Sequence, residues 1–377
     1  MSLTHALSLS RGPATAFVVV GLFWGTFAAS VPVLKDQIGA GDAVFGTLLL
    51  ATSIGLGLAM WGAPLLDRLL GAQSMRVATL FFGALFILPS LAQSPAMFAG
   101  ALMLLGLSSG TLDVVMNARV SDLESLHGKS LMNANHGMFS VGYTISAVLT
   151  GYAREAGMPL IYVFVAMSVA VVILSFFMKG TTQPAAQDDG QTGTNILWPV
   201  LICGAIVLVA FMTEATVEAW SALHIERTLG GSPMDGALGP AMLGVTMTIG
   251  RFSGQVVTER YSENSVIIAA SIISAIGAIG AAIAPTAPLA YLGFGVMGLG
   301  VSVIGPIGLA ILGQLVPEHA RVRAVSRAAV IGFAGFFIAP MVMGLISESH
   351  GLRIAFGCVA ALVLLVLPLV KAIPAKS

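Results

Sequence analysis

Residues 62–68 read GAPLLDR and residues 254–260 read GQVVTER, each with a glycine five residues before an acid-arginine pair, at an offset of 192. Two further stretches keep almost the same offset. GYTISAVLTG at 142–151 matches GFFIAPMVMG at 335–344, shifted by 193, and LKDQIG at 34–39 matches IERTLG at 225–230, shifted by 191. Three matches in one order at nearly one spacing mark an internal duplication. In a membrane chain, parallel repeats of this kind place a binding site between the two halves near the bilayer midplane.

The solvent for these repeats is lipid. Apolar residues make up 57% of the 377 and charged residues only 9%, against roughly 25% charged in a soluble domain. Formal charge is zero and no basic run occurs, which excludes a nucleic-acid partner. Cys203 and Cys358 stand far apart in apolar runs, with neither disulfide nor metal-ligand spacing, and read as small packing residues. The opening MSLTHALSLSRGP leads into an apolar run of about 20 residues, longer than a signal-peptide core, and is expected to be a retained first span. No long polar segment leaves room for a soluble domain.

Apolar runs bounded by polar or Pro/Gly breaks give twelve candidate helices, near 13–34, 42–64, 74–92, 96–118, 133–153, 158–178, 196–224, 235–257, 264–284, 287–311, 324–345 and 352–371. With the N-terminus inside, Lys and Arg fall 12 on the cytoplasmic side, while Lys35, Arg154, Arg227 and Arg353 fall outside and Arg251 within a span. That asymmetry obeys the positive-inside rule and puts both termini in the cytoplasm. The stretch KGTTQPAAQDDGQTGTN, 179–195, is linker-like. It divides the chain into an N-terminal six-helix bundle, 1–178, and a C-terminal one, 196–377. The expected fold class is an all-α membrane protein of twelve transmembrane helices in two pseudo-symmetric bundles.

Six plus six helices, a central linker and an acid-arginine signature between the second and third helices of each half resemble the major facilitator superfamily over essentially the whole chain. The glycine lies five residues before Asp67 where the common signature has four, and Gly71 in DRLLG is one place late. Both halves share the spacing, which marks a subfamily trait. The resemblance implies that Asp67, Arg68, Glu259 and Arg260 are gating residues that latch one conformation by bridging to a neighbouring helix end; the plainer alternative is headgroup-level charge alone.

Ionisable groups near the bilayer centre cost about 2.5 to 3.5 kcal/mol on insertion scales and normally mark a pathway or relay. Here they are Asp113 with Asn117, and Glu214, Glu218 and Arg251. A spacing of four puts Asn117 on the face of Asp113 and Glu218 on the face of Glu214. Gly106 and Gly110 extend the Asp113 face, where a helix or a ligand could approach closely. Burial disfavours an ionised carboxylate, so such an acid can serve as a protonation toggle for alternating access. Asp113, Glu214 and Glu218 are therefore candidate proton-coupling groups, and Arg251 needs an acidic partner, Asp113 or Glu214. His136 titrates near neutrality and is a candidate relay, or a helix-start histidine. Asn133, His136 and Ser140 share a face that could meet Asp113 and Asn117, although Asn133 or Asn135 could simply cap backbone N–H groups. Trp24 and Trp220 are candidates for lining a binding chamber, or for packing. Trp61 and Trp198 read as interface residues.

Within the superfamily, DVVMN at 113–117 resembles the fourth-helix motif of the fucose-permease-like sugar symporters, in which the acid carries the coupled proton. LDVVMNARV with LMNANHGMFSVG, and EATVEAWSAL at 214–223, are closer still to the uncharacterised bacterial permeases allied to them. The first helix departs from that pattern: FWGTFAASVP lacks the polar residue that follows the tryptophan in the sugar symporter. No H-E-x-x-H, G-x-S-x-G or P-loop motif occurs, so neither an enzyme nor a built-in ATPase is expected, nor any cofactor or metal. The expected function is proton-coupled uptake of a small polar metabolite, sugar-like by resemblance, across a bacterial-type inner membrane. The partners expected are the solute, protons and the bilayer, and the resemblance implies a monomer. The alternatives are a proton-driven efflux antiporter and, more remotely, a non-transporting membrane receptor.

Overall fold

The computed structural model describes residues 3–129, 131–178, 196–258 and 260–373. The expected linker at 179–195 and the gating candidate Glu259 lie outside the described residues. A short helix, Leu3–Leu9, leads into α1, Arg11–Gln37. The first half continues with α2 (Asp42–Leu48 and Leu50–Leu70), α3 (Ser74–Leu85 and Leu88–Leu91), α4 (Pro95–His127), α5 (Met132–Glu155) and α6 (Leu160–Ser175). The second half holds α7 (Leu197–Leu223, prolonged by a π-helical turn His224–Thr228), α8 (Pro233–Thr258), α9 (Glu263–Ile283) and α10 (Ala287–Leu315). A single helical stretch Glu318–Leu364 breaks at Gly351, with φ of 81°, into α11 (318–350) and α12 (352–364), followed by Val366–Lys371.

Among the described residues, seven helical stretches are long and apolar enough to cross a membrane. Two of these, Asp42–Leu91 and Arg323–Lys371, run to 50 and 49 residues. At about 1.5 Å per residue each is more than twice the bilayer's hydrocarbon thickness of roughly 30 Å, so each folds back as two spans. The apolar α6 is 16 residues long. Helices α5 and α8, at 24 and 26 residues, are long enough but carry the polar residues of the candidate site, and they pack against each other across the two halves. Twelve successive spans return the chain to the side from which it starts, so that side is called the terminal end below, and the opposite side the distal end.

The duplication seen in the sequence reappears as duplicated packing. Gly142 of α5 lets the Val18 backbone of α1 approach closely, and Gly335 of α11 does the same for Leu208 of α7. Across the halves, Gly151 of α5 sits on Met234 and Ala237 of α8, while Gly344 of α11 sits on Asp42 and Gly46 of α2. These pairs are equivalent under the sequence offset, which makes α5–α8 and α2–α11 symmetry-related seams. The carbonyls closing the third helix of each half are also both capped by a side chain, though from helices the repeat does not relate. Gln37 donates to the Ser90 and Ala92 oxygens, and Arg353 donates to those of Ala282 and Ala284. Gly277 and Gly293 bring α9 and α10 into backbone contact, the close packing expected of a glycine-dense membrane helix. Trp61 is 88% exposed and Trp198 61%, placing both on the outer surface.

Candidate functional site

Arg251 projects from α8 toward both halves. One guanidinium nitrogen lies 3.4 Å from Glu214 Oε1 on α7, and the other donates to Ser140 Oγ on α5 at 3.0 Å. Of the two acids that could have served, Glu214 is therefore the partner. Glu214 is 6% exposed and Ser140 2%, so an ion pair shielded from water is tied to a hydroxyl of the opposite half. An arginine can do this because its planar fork presents several donors at once. Glu218 is half-buried, within electrostatic range of Glu214 and Arg251. His136 is half-buried, lies within the field of Arg251 and has its ring edge-on to Phe17 at 4.7 Å.

The face Asn133–His136–Ser140 divides between roles. Asn133 is exposed, His136 packs on α1 and Ser140 binds Arg251. Asn135 is fully buried and donates to Ser10 Oγ and to the Leu131 carbonyl, a tie between α5 and the chain ahead of α1. The start of α5 is capped instead by Glu124, whose Oε1 accepts the Leu131 and Met132 N–H groups, as a carboxylate at a helix N-terminus favours.

Asp113 is half-buried and accepts a hydrogen bond from Asn117 Nδ2 at 3.1 Å, the pairing that a spacing of four predicts. Gly106 and Gly110, on the same face, receive Thr52, Leu56 and Ala59 of α2, so it is a helix that approaches there. The Arg251 cluster forms without Asp113. Trp24 is half-buried and packs edge-on to Phe23 and Phe27. Trp220 is wholly buried and meets Phe45 of α2 edge-on at 6.0 Å, closing the seam between the halves on the distal side of Glu218.

Beyond that aromatic pair the distal end is held by charges that span the seam. Arg154 of α5 makes a bidentate pair with Glu226, both bonds 2.8 Å. Asp42 at the head of α2 binds Arg227 through both oxygens at 2.8 and 2.6 Å, Lys35 at 3.1 Å and Ser347 of α11 at 2.5 Å. Glu348 accepts the Ala43 N–H, and Glu155 accepts the Met234 N–H. Bidentate arginine-carboxylate pairs are strong and directional, and these are mostly shielded. The sequence shows Lys35, Arg154 and Arg227 as counts on one side of the membrane. For Lys35 and Arg227 the signal was the LKDQIG/IERTLG repeat, in which Lys35–Asp36 is charge-inverted to Glu226–Arg227.

At the terminal end, Asp67 Oδ1 accepts Arg119 Nη2 at 2.6 Å and Ser74 Oγ at 2.5 Å, and Arg119 also reaches Asp122 at 3.4 Å. This cluster joins α2, α3 and α4 inside the first half. Arg68 and Arg260 are exposed. Of the acid-arginine signature, the described residues thus place Asp67 in a bridge to a neighbouring helix and both arginines at the surface.

The sequence profile of the Major Facilitator Superfamily matches residues 14–257 and 200–376. An uncharacterised MFS-type transporter of Yersinia pestis is 31% identical over 370 residues, covering 95% of this chain and 94% of its own. The crystal structure of a D-xylose-proton symporter superposes with a TM-score of 0.77 at 15% identity, covering 100% of this chain and 99% of the other. A bacterial homologue of the human lysosomal transporter Spinster, inward-facing and occupied, gives 0.76 at 14% identity, with coverage of 98% and 97%. At such identities these two structures speak to the fold alone.

Proposed function

Since the chain belongs to the Major Facilitator Superfamily, we propose that it is a secondary active transporter that takes up a small polar metabolite together with protons. The observation that carries this reading is the Glu214–Arg251–Ser140 cluster, a shielded ion pair reaching from one half to the other. In an alternating-access carrier the group that senses the proton must also bear on the contact between the halves. Glu214 meets that need: protonated, it no longer neutralises Arg251, and the guanidinium is free to leave Ser140 or turn to a solute. Asp113, bonded to Asn117, is the second candidate carrier of a proton, and His136 beside Arg251 is the relay between bulk water and the pair.

The conformation supports the same cycle. Arg154–Glu226, Asp42–Arg227–Ser347 and Trp220–Phe45 close the distal end, so solute and protons exchange from the terminal end in this state. The distribution of Lys and Arg makes the terminal end cytoplasmic in a bacterial-type plasma membrane, and this state inward-facing. Asp67 with Arg119 acts at that end, preparing the surface that seals when the halves rock, and Arg68, Glu259 and Arg260 complete the latch. The protein works as a monomer of two bundles, 1–178 and 196–377, joined by 179–195.

The test is uptake from a panel of labelled polar solutes by proteoliposomes, with and without an inward proton gradient. Each pH unit of gradient should drive about tenfold accumulation per coupled proton. Glu214→Gln should retain solute exchange but lose the response to the gradient, and Asp113→Asn should blunt it. Accumulation by the wild type that ignores the gradient would overturn the reading.

A further inference from the structure

A second pair of polar groups stands one turn distal to the Arg251 cluster. Helices α5 and α7 both run toward the distal end, Tyr143 follows Ser140 by three residues, and Glu218 follows Glu214 by four. Residues so spaced stack on one helical face, so Tyr143 and Glu218 sit at a common level above Ser140 and Glu214. Tyr143 is 2% exposed and, among the described residues, its hydroxyl has no hydrogen-bond partner. Glu218 is half-buried and, among the described residues, also forms no hydrogen bond or ion pair. The two side chains lie within electrostatic range of each other. On α8, Gly244 leaves the space that the Tyr143 ring and the Thr144 hydroxyl occupy. The Trp220–Phe45 pair closes the level on its distal side.

Among the described residues, no cation makes contact with Glu218. Arg251 is shared between Glu214 and Ser140. Arg154 is committed to Glu226 and the Ala29 carbonyl, and Lys35 and Arg227 to Asp42. Glu218 lies in the field of Arg251 but is the carboxylate that none of these cations contacts. A buried hydroxyl without a partner and a half-buried carboxylate without an ion-pair contact are each costly, and a bound group that satisfies both would recover that cost. A neutral polyol can reach the hydroxyl but leaves the charge. An alkylammonium supplies the opposite charge and three N–H donors, enough for both carboxylate oxygens and the phenolic oxygen.

We propose that Glu218 and Tyr143 form a subsite for a protonated amine, and that the transported solute is a small amine-bearing polar molecule. This deepens the transport reading above and rests on it. The probes are matched pairs of one amine and one hydroxyl analogue: ethanolamine with ethylene glycol, D-glucosamine with D-glucose, and D-galactosamine with D-galactose. Each is tested on the detergent-purified full chain by its effect on thermal unfolding and in proteoliposomes by uptake. At least one amine should bind more tightly than its hydroxyl analogue. Glu218→Gln should weaken that amine about 10- to 100-fold, as loss of a charge-assisted bond does. Tyr143→Phe, which removes one oxygen and no packing volume, should weaken it about threefold to tenfold. The subsite is overturned if no amine of the panel binds, if every hydroxyl analogue binds as well as its amine, or if amine binding survives both substitutions. Proton-driven accumulation of a neutral solute, indifferent to Glu218→Gln, would remove the subsite and leave proton coupling standing. Amine selectivity lost with Glu218→Gln, without gradient-driven accumulation, would support the subsite and remove the coupling.

Discussion

Arg251 has a single guanidinium and serves two helices with it, so its replacements should separate charge from geometry. Arg251→Gln leaves the 6%-exposed Glu214 without its counter-ion, a loss of about 3 to 5 kcal/mol for a shielded pair. A fall in the thermal unfolding midpoint is expected, together with loss of uptake. The double variant Arg251→Gln, Glu214→Gln should recover most of the midpoint while uptake stays absent, because neither member of the pair is left charged without the other but the toggle is gone. Recovery of uptake along with stability would mean the pair only holds the fold. The chemistry of these residues was legible in the sequence, since few ionisable groups stand inside the spans. Their partners were not: a spacing of four fixes a shared face on one helix and is silent about the helix opposite. Asp113 with Asn117, a contact within one helix, was readable for the same reason that Glu214 with Arg251 was not.

Between helices, glycine decides how closely backbones approach. Gly142 and Gly335 face the backbones of Val18 and Leu208 within each half, whereas Gly151 and Gly344 face the other half. Adding side-chain bulk at a tight contact costs about 1 to 3 kcal/mol, but the consequence should depend on the seam. Gly142→Val and Gly335→Val should each lower the unfolding midpoint by several degrees. Gly151→Val and Gly344→Val should change it less, and Gly151→Val should instead raise the reactivity of a cysteine placed at Ala237, which it faces across the seam, read by maleimide labelling. Equal destabilisation by all four, without added reactivity, would contradict this division. The repeat GYTISAVLTG/GFFIAPMVMG was visible as a pattern, and the structure supplies its reason: equivalent glycines meet equivalent helices. Trp220 shows the limit, since a tryptophan beside an acid reads equally as a chamber wall, and its burial against Phe45 depends on a helix about 175 residues away in sequence.

For the molecule as a whole, length and hydropathy made the twelve spans legible, and offset matching made the duplication legible. The state of the seam was not. Charge counting assigns Lys35, Arg154 and Arg227 to one side of the membrane, and only their three-dimensional arrangement pairs Arg154 with Glu226 and Arg227 with Asp42 across the halves. On the proposed transport cycle these ties hold one of its two states, so cutting them should move the equilibrium rather than unfold the protein. Arg154→Gln and Asp42→Asn together should slow return to the distal-closed state and reduce uptake several-fold, with the unfolding transition still cooperative.

The most direct measurement is a pair of distances by spin labelling, in a background with Cys203→Ala and Cys358→Ser. One pair of labels replaces Asp36 and Ser349 at the distal end, and the other replaces Leu126 and Tyr261 at the terminal end; all four sites are exposed. With Arg154→Gln and Asp42→Asn introduced, the distal distance should lengthen and the terminal distance should shorten. If both distances stay fixed, or both lengthen, the halves do not rock about the Arg251 cluster.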